Sequence, residues 1–177
     1  VPEGMTTQQA SRKAMVMCVS DFAAKSVKPI VALVALGLPR GLGEREVRDL
    51  ARGLDEGCRE YGLYIIGGDT NEAKDLIISP TLYGSCRREE IILRSGARLG
   101  DILAVSGTFG KTSAAFKILR EGLEAPEAIR RGILTSIYRP EARLRFGLEL
   151  KRYGVTSSID SSDGLAWSLH ELSRASH

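Results

Sequence analysis

The sequence has 177 residues, 43% of them hydrophobic, and a formal net charge of +3. These values are typical of a globular domain with a sizeable core, and they exclude a disordered chain. Its acidic and basic residues are interspersed, which argues against nucleic-acid binding, and its longest apolar run (30–36) is too short to span a membrane. The three cysteines Cys18, Cys58 and Cys86 form no C-x-x-C pair, which argues against a disulfide framework or structural zinc and favours a reducing cytoplasm.

Periodicity and breaker residues predict five elements in the first half of the chain. They are a helix over about 8–26 capped by Thr7, a buried strand at 30–38, a helix over about 44–61, and strands at 63–66 and about 76–83 on either side of a turn at 67–70.

The second half begins after a charged, glycine-punctuated segment at 87–100, where we predict a domain boundary between residues 1–90 and 91–177. The predicted elements are a strand at 101–106, helices over about 111–121 and 140–153, a short strand approaching Ile159 and a helix over about 164–175. The alternation of strands and helices predicts an α/β (α+β) fold.

One segment partly matches a phosphate-binding loop. Gly110, Lys111 and Thr112 fit the end of the P-loop pattern, which also requires a glycine five residues before Gly110. That position is Val105, and the nearest glycine, Gly107, makes the loop two residues too short to surround a diphosphate. We therefore interpret the segment as an ordinary strand–turn–helix junction.

Asp21 is the first carboxylate in an unexpected place. Helical spacing puts it on one face with Met17 and Cys18, so the carboxylate is expected on an apolar face. A buried carboxylate needs a cation or strong donors. The alternative is that Asp21 lies at the edge of this face and reaches water or Lys25.

Two further segments also carry acidic residues. Asp69 follows Gly67 and Gly68, which let a ligand approach the backbone, although a plain glycine turn explains the same residues. Asp160 and Asp163 lie three residues apart, at the start of a predicted helix. Their repulsion suggests a cation, and all-oxygen ligation favours Mg²⁺, whereas Ser162 or Asp163 alone would serve as an N-cap.

The sequence resembles the thiamine-monophosphate kinase family. The matching segments, in family order, are VSDFAAKSVKPIVALVALGLP, IIGGDTNE, ILRSGARLGDILAVSGTFG and SSIDSSDGLAWSLHELSRAS. Gly-Gly-Asp-Thr together with Asp-x-Ser-Asp-Gly favours this kinase over aminoimidazole ribonucleotide synthetase and the hydrogenase-maturation carbamoyl dehydratase, which belong to the same superfamily. The resemblance implies a two-domain fold like that of the synthetase, with a nucleotide-binding N-terminal sheet that dimerises and part of a C-terminal α/β domain.

The resemblance also implies the ligands and the reaction. Asp21, Asp69, Asp160 and Asp163 would bind Mg²⁺, and Gly68, Asp69, Arg94 and Ser162 would contact ATP. The chain would then belong to a cytoplasmic homodimer that phosphorylates thiamine monophosphate to thiamine diphosphate. The family's N-terminal acidic motif would precede residue 1, and its C-terminal substrate-binding portion would lie beyond His177.

Two other functions fit the same sequence. One is another ATP-using enzyme of the superfamily with a different acceptor, and the other is a nucleotide-binding fragment without turnover. In the last predicted helix, we interpret His170 as a surface or core histidine rather than a ligand, and Trp167 as part of the core.

Overall fold

The computed structural model describes residues 2–177 and confirms a mixed α/β architecture. Its elements, in chain order, are α1 (Thr7–Ala24), β1 (Lys28–Leu38), α2 (Glu44–Tyr61), β2 (Tyr64–Glu72), β3 (Ile77–Ser85), α3 (Lys111–Glu121), α4 (Glu127–Tyr138), α5 (Leu144–Glu149), a 3₁₀ turn (Leu150–Tyr153) and α6 (Leu165–Ser176). Within these described residues, no helix has both the length and the apolar character needed to cross a membrane.

The three strands form one sheet in the order β2-β1-β3, with β1 parallel to β2 and antiparallel to β3. The central position suits β1 because its sequence, KPIVALVALGL, is apolar along almost its whole length. Ala32 and Val34 are buried on the face that packs against helices, whereas Leu33 and Ala35 alternate onto an exposed face. The sheet is therefore covered on one side only among residues 2–177.

Helices α1 and α2 pack closely against each other on the covered side of the sheet. Their buried faces contribute Met15, Val19 and Leu54 to a core that also contains Ala32. The approach is close because Gly53 of α2 has no side chain, and a Cβ there would collide with the Gln8 carbonyl oxygen of α1. The position of α1 is thus fixed by a backbone contact as well as by apolar packing.

A buried arginine connects this helix pair to the second half of the chain. The Arg12 Nη2 atom lies 2.6 Å from Glu60 Oε2, and Nη1 donates to the Pro140 carbonyl at 3.0 Å. Burial by itself lowers the pKa of Arg12, but the hydrogen bond and charge of Glu60 outweigh that effect, so the pKa is raised. Arg139 adds an ion pair to Glu56, which completes a charged cluster joining α1, α2 and residues 139–140.

Packing continues at the other end of α1. Leu144 of α5 belongs to the same core as Met15, and a Cβ on Gly147 would collide with the Ala23 carbonyl oxygen. A second, smaller core lies between α3 and α4 and contains Ala115, Ile118, Leu134 and Ile137. The second half of the chain therefore contacts α1 at both ends of the helix.

Three strand and turn predictions are wrong. The turn predicted at 67–70 lies inside β2, which continues to Glu72 because these residues pair with β1. Residues 101–106 and the segment approaching Ile159 are not strands. The sheet formed by residues 2–177 contains β1, β2 and β3 alone, so residues 101–106 pair with no strand, and Ile102 is 94% exposed.

The helix predictions contain smaller errors. Thr6 rather than Thr7 caps α1: its hydroxyl oxygen accepts a hydrogen bond from the Gln9 backbone N–H at 3.2 Å, and its own backbone N–H donates to Gln9 Oε1 at 2.9 Å. The helix predicted at 140–153 begins at Leu144 and ends as a 3₁₀ turn, and α4 was not predicted at all.

The packing of α1 on α2 gives a testable prediction. Gly53→Ala will lower the free energy of unfolding by about 3 kcal/mol, because the methyl group forces the two helix backbones apart. Gly132→Ala in α4 is the matched control: no atom lies within 4 Å of its Cβ position, and the better helix propensity will stabilise the protein by about 0.5–1 kcal/mol. Urea denaturation measures both, and equal effects would contradict the proposed close packing.

Candidate functional site

The structure brings two of the predicted aspartates together. Asp21 lies in the last turns of α1, and Asp160 lies within the irregular segment at 155–164 that precedes α6. Their carboxyl groups are close enough to share a hydrogen bond when one of them is protonated. Two ionised carboxylates at this separation repel each other, so the pair favours either a shared proton or a bound cation.

Asp21 is more accessible to solvent than its helical spacing suggests. Met17, on the same face, is 57% exposed, and Asp21 itself is exposed. The expected buried apolar face is therefore wrong, and the alternative in which Asp21 reaches water is confirmed. The buried face of α1 is the one that carries Met15 and Val19 toward the sheet.

The pKa of Asp21 is raised despite this exposure. Desolvation by the neighbouring protein is the main cause, followed by the charge of Asp160 and the hydrogen bond to it. The positive charges of Arg94 and Lys25 act in the opposite direction. The four groups therefore form one electrostatic cluster, to which α1, residue 94 and residue 160 all contribute.

Arg94 belongs to this cluster and has a second acidic neighbour. Its Nη1 atom lies 3.8 Å from Glu171 Oε2 of α6, and its side chain is 48% exposed. Glu171 is almost fully buried and also accepts a hydrogen bond from Arg174 at 3.1 Å. Sequence reasoning missed Glu171 because nothing in its spacing separates it from an ordinary helix-surface acid.

Asp69 lies elsewhere on the molecule. Its Oδ1 accepts a hydrogen bond from the Thr70 amide at 3.0 Å, and its Oδ2 accepts one from the Asn71 side chain at 2.6 Å. Register pairs Asp69 with Ala35, which is exposed on the side of the sheet away from α1 and α2. The structure therefore does not bring Asp69 to the Asp21–Asp160 pair within this chain.

Gly68 has a structural reason to be glycine. A Cβ at this position would collide with the Val34 carbonyl oxygen of the neighbouring strand. The glycine thus allows β1 and β2 to approach near the register shift at Ala32/Leu33. Its predicted contact with ATP stays a prediction.

Asp163 and Ser162 are exposed in a bend just before α6. The N-cap of α6 is Gly164, with φ of 96°, and no side chain caps this helix end. The alternative in which Ser162 or Asp163 caps the helix is therefore wrong. The bend is instead tied to α6 by Ser161, whose hydroxyl lies 2.9 Å from that of Ser168.

The oxygen-only chemistry of the Asp21–Asp160 pair fits a hard cation such as Mg²⁺, because a divalent ion would offset the repulsion between the two carboxylates. The pair provides only part of a coordination shell. Within residues 2–177, no three histidine, cysteine, aspartate or glutamate residues are grouped closely enough to hold a metal. The four-aspartate ligand set stays a prediction.

The remaining candidates have simpler explanations. Gly110 is the N-cap of α3, with φ of 92°, and residues 101–109 directly before it contain no strand, so this segment is a turn before a helix rather than a strand–turn–helix junction. Trp167 is 55% exposed, which makes its assignment to the core wrong, and His170 is a surface residue. A groove of about 640 Å³ between α2 and β2 is lined by none of the predicted site residues.

Comparison with known proteins identifies the class of fold. Residues 2–86 match the family described as "AIR synthase related protein, N-terminal domain". The hydrogenase maturation protein HypE has the same fold, with a TM-score of 0.78 at 20% identity over 97% of this chain and 53% of its own. The chain therefore has the AIR synthase-like fold that the resemblance implied.

Within that class, the resemblance to thiamine-monophosphate kinases is confirmed. The chain is 37% identical to the enzyme of Nitrosopumilus maritimus over 99% of its length, and 39% identical to that of Pyrococcus horikoshii over all of it. It spans about half the length of these curated relatives, 56% and 55% respectively.

Solved structures show the same resemblance to thiamine-monophosphate kinases. A thiamine monophosphate kinase from Aquifex aeolicus superposes with a TM-score of 0.90 at 30% identity, over 99% of this chain and 61% of that protein. A structure described as AaThiL complexed with AMPPCP and TMP gives a TM-score of 0.89 at 31% identity, over 98% of this chain and 55% of that one.

The carboxylate pair predicts an unusual stability effect. Because the pKa of Asp21 is raised in the folded state, its ionised form costs stability at neutral pH, and this cost disappears as the pH falls through the raised pKa. Asp21→Asn will therefore raise the free energy of unfolding at pH 7, by less than about 1 kcal/mol because solvent screens the charges. Denaturation at pH 7 and pH 3 measures the effect, and a variant less stable than wild type at pH 7 would contradict it.

Proposed function

We propose that this chain is the ATP- and Mg²⁺-binding part of a kinase that transfers the γ-phosphoryl group of ATP to thiamine monophosphate, giving thiamine diphosphate. The observation that carries the proposal is the meeting of Asp21 and Asp160 beside Arg94. Similarity to thiamine-monophosphate kinases along the whole chain supports the same reaction. The free cysteines are compatible with a cytoplasmic location.

The proposed chemistry is electrostatic rather than acid–base. The phosphate of thiamine monophosphate is already an anion at neutral pH, so no general base is needed to activate it. The obstacle is repulsion between donor and acceptor, about 4 kcal/mol for each pair of unit charges 4 Å apart at an effective dielectric of 20. Bound Mg²⁺ would supply the positive charge that offsets this repulsion.

The chain's own residues would provide binding and orientation. Asp21 and Asp160 would hold the cation, and the half-exposed Arg94 would bind the nucleotide phosphates, since its guanidinium presents several donors beside the pair. Asp69, on the sheet, and Asp163, in the bend before α6, would bind other Mg²⁺ ions. Gly68, Asp69 and Ser162 would contact ATP, in keeping with the family resemblance.

The open face of the sheet is the proposed homodimer interface. Its exposed apolar side chains include Leu33 (48%), Tyr64 (73%), Tyr83 (65%) and Ile77 (51%). Strand pairing places these residues on the side away from the helices, as one contiguous surface. A second copy of the sheet is the occupant that the family resemblance suggests.

The nucleotide and metal site can be tested by calorimetry with AMPPCP and Mg²⁺. We expect the wild-type chain to bind both together, and Asp160→Asn to weaken binding at least tenfold because the carboxylate pair is lost. Asp75→Asn, an exposed aspartate between β2 and β3, is the matched control and should bind as wild type does.

Turnover is tested separately, by thiamine monophosphate-dependent release of ADP. Release that depends on this acceptor supports the kinase. Binding without release would instead identify a nucleotide-binding portion without turnover, an outcome consistent with a chain that spans 55% of its relative from Pyrococcus horikoshii. If neither AMPPCP nor Mg²⁺ binds, the proposed function is wrong.

The interface is tested by analytical ultracentrifugation. Wild-type protein should sediment at twice the chain mass of 19.2 kDa, and Leu33→Glu should be monomeric because a carboxylate would be buried between the sheets. Ile129→Glu, on an equally exposed apolar residue of α4, is the control and should remain dimeric. A monomeric wild type, or a dimer that survives Leu33→Glu, would exclude this interface.

A further inference from the structure

We propose that Lys25 is a positioning residue that holds the three segments of the candidate site together. The proposal rests on the proposed function for its meaning, but its geometry stands independently. Lys25 is the C-cap of α1, and its amide bonds back to the Asp21 and Phe22 carbonyl oxygens at 3.3 and 3.1 Å. It is therefore fixed to the helix one turn after Asp21.

Lys25 makes one hydrogen bond to each of the other two segments. Its backbone carbonyl accepts from the Ile92 amide at 3.1 Å, and its Nζ atom donates to the Ser158 carbonyl at 3.4 Å. A third bond, from the Ser158 amide to the Leu93 carbonyl at 3.0 Å, joins those segments to each other. The three bonds connect the three segments in a closed ring, and Lys25 takes part in two of them.

Each of these bonds involves a residue within four positions of a candidate site residue. Asp21 is four residues before Lys25, Arg94 is two residues after Ile92, and Asp160 is two residues after Ser158. Ile92 is 2% exposed, so its segment is anchored as well as hydrogen-bonded. Because the hydrogen-bonded residues are so close along the chain, these bonds also fix the backbone positions of the functional side chains.

The ammonium group holds a carbonyl rather than a carboxylate. Lys25 is near both Asp21 and Asp160, yet among residues 2–177 it forms no ion pair within 4.0 Å of either. The carboxylate oxygens thus stay free for a cation. This arrangement suits a residue that orders the site rather than one that neutralises it.

The positioning role and a simple counter-charge predict opposite results. If Lys25 only adds positive charge, its removal will tighten the binding of a divalent cation, because repulsion decreases. If Lys25 positions Asp160, its removal will weaken binding by about tenfold, as is typical when a supporting hydrogen bond to a metal site is lost.

The experiment compares Lys25→Met with wild type in two measurements. Mn²⁺ affinity in the presence of AMPPCP is measured by electron paramagnetic resonance, and amide exchange at Ser158 and Ile92 by NMR. We expect tenfold weaker Mn²⁺ binding and faster exchange at residues 155–160, both largely restored in Lys25→Arg, which keeps a long cationic donor. Lys28→Met, an exposed lysine on β1, is the matched control and should match wild type in both.

The outcomes separate the two proposals. Unchanged or tighter Mn²⁺ binding in Lys25→Met, unchanged exchange at Ser158, or lost protection throughout the chain would each overturn the positioning role. If the wild-type chain does not bind Mn²⁺, the proposed function fails. Exchange at Ser158 in Lys25→Met and Lys25→Arg then still decides whether Lys25 holds the segments together.

Discussion

The close contact between α1 and α2 is the constraint on which the rest of the structure depends. With Gly53 at the crossing point, the two backbones touch, and α1 cannot rotate without opening the core around Met15 and Val19. That fixed rotation decides which residues of α1 face the sheet and which face solvent. For this reason Asp21 projects toward solvent, and Asp160, from the C-terminal part of the chain, can lie beside it.

Helix α1 then acts as a rigid spacer between two contacts with the second half of the chain. Arg12 binds Glu60 and the Pro140 carbonyl near one end, and Gly147 packs on Ala23 near the other. From Arg12 to Asp21 the helix rises about 14 Å. Because these contacts hold the second half of the chain at both ends of α1, the segment that carries Asp160 is held in place near Asp21.

The sequence pattern predicted the elements whose formation depends mainly on residues close together in the chain. The helices at 8–26 and 44–61 and the strand at 30–38 follow from periodicity and end signals, and the structure places elements there. The strand predicted at 101–106 is wrong because a strand also needs a neighbouring strand to pair with, and residue spacing alone does not reveal whether one is present. The proximity of Asp21 and Asp160, which are 139 positions apart, came from family resemblance. Lys25 was missed as a positioning residue because its role depends on backbone groups of other segments.

The glycine at position 68 bears on how genetic data for such proteins are interpreted. A loss-of-function allele at Gly68 would ordinarily be taken to mark the nucleotide site, since the Gly-Gly-Asp-Thr signature surrounds it. Here any larger residue would first push β2 away from Val34, so the sheet would be damaged whether or not ATP touches this residue. Inactive alleles at this codon therefore need a folding assay before they can be assigned to ligand recognition.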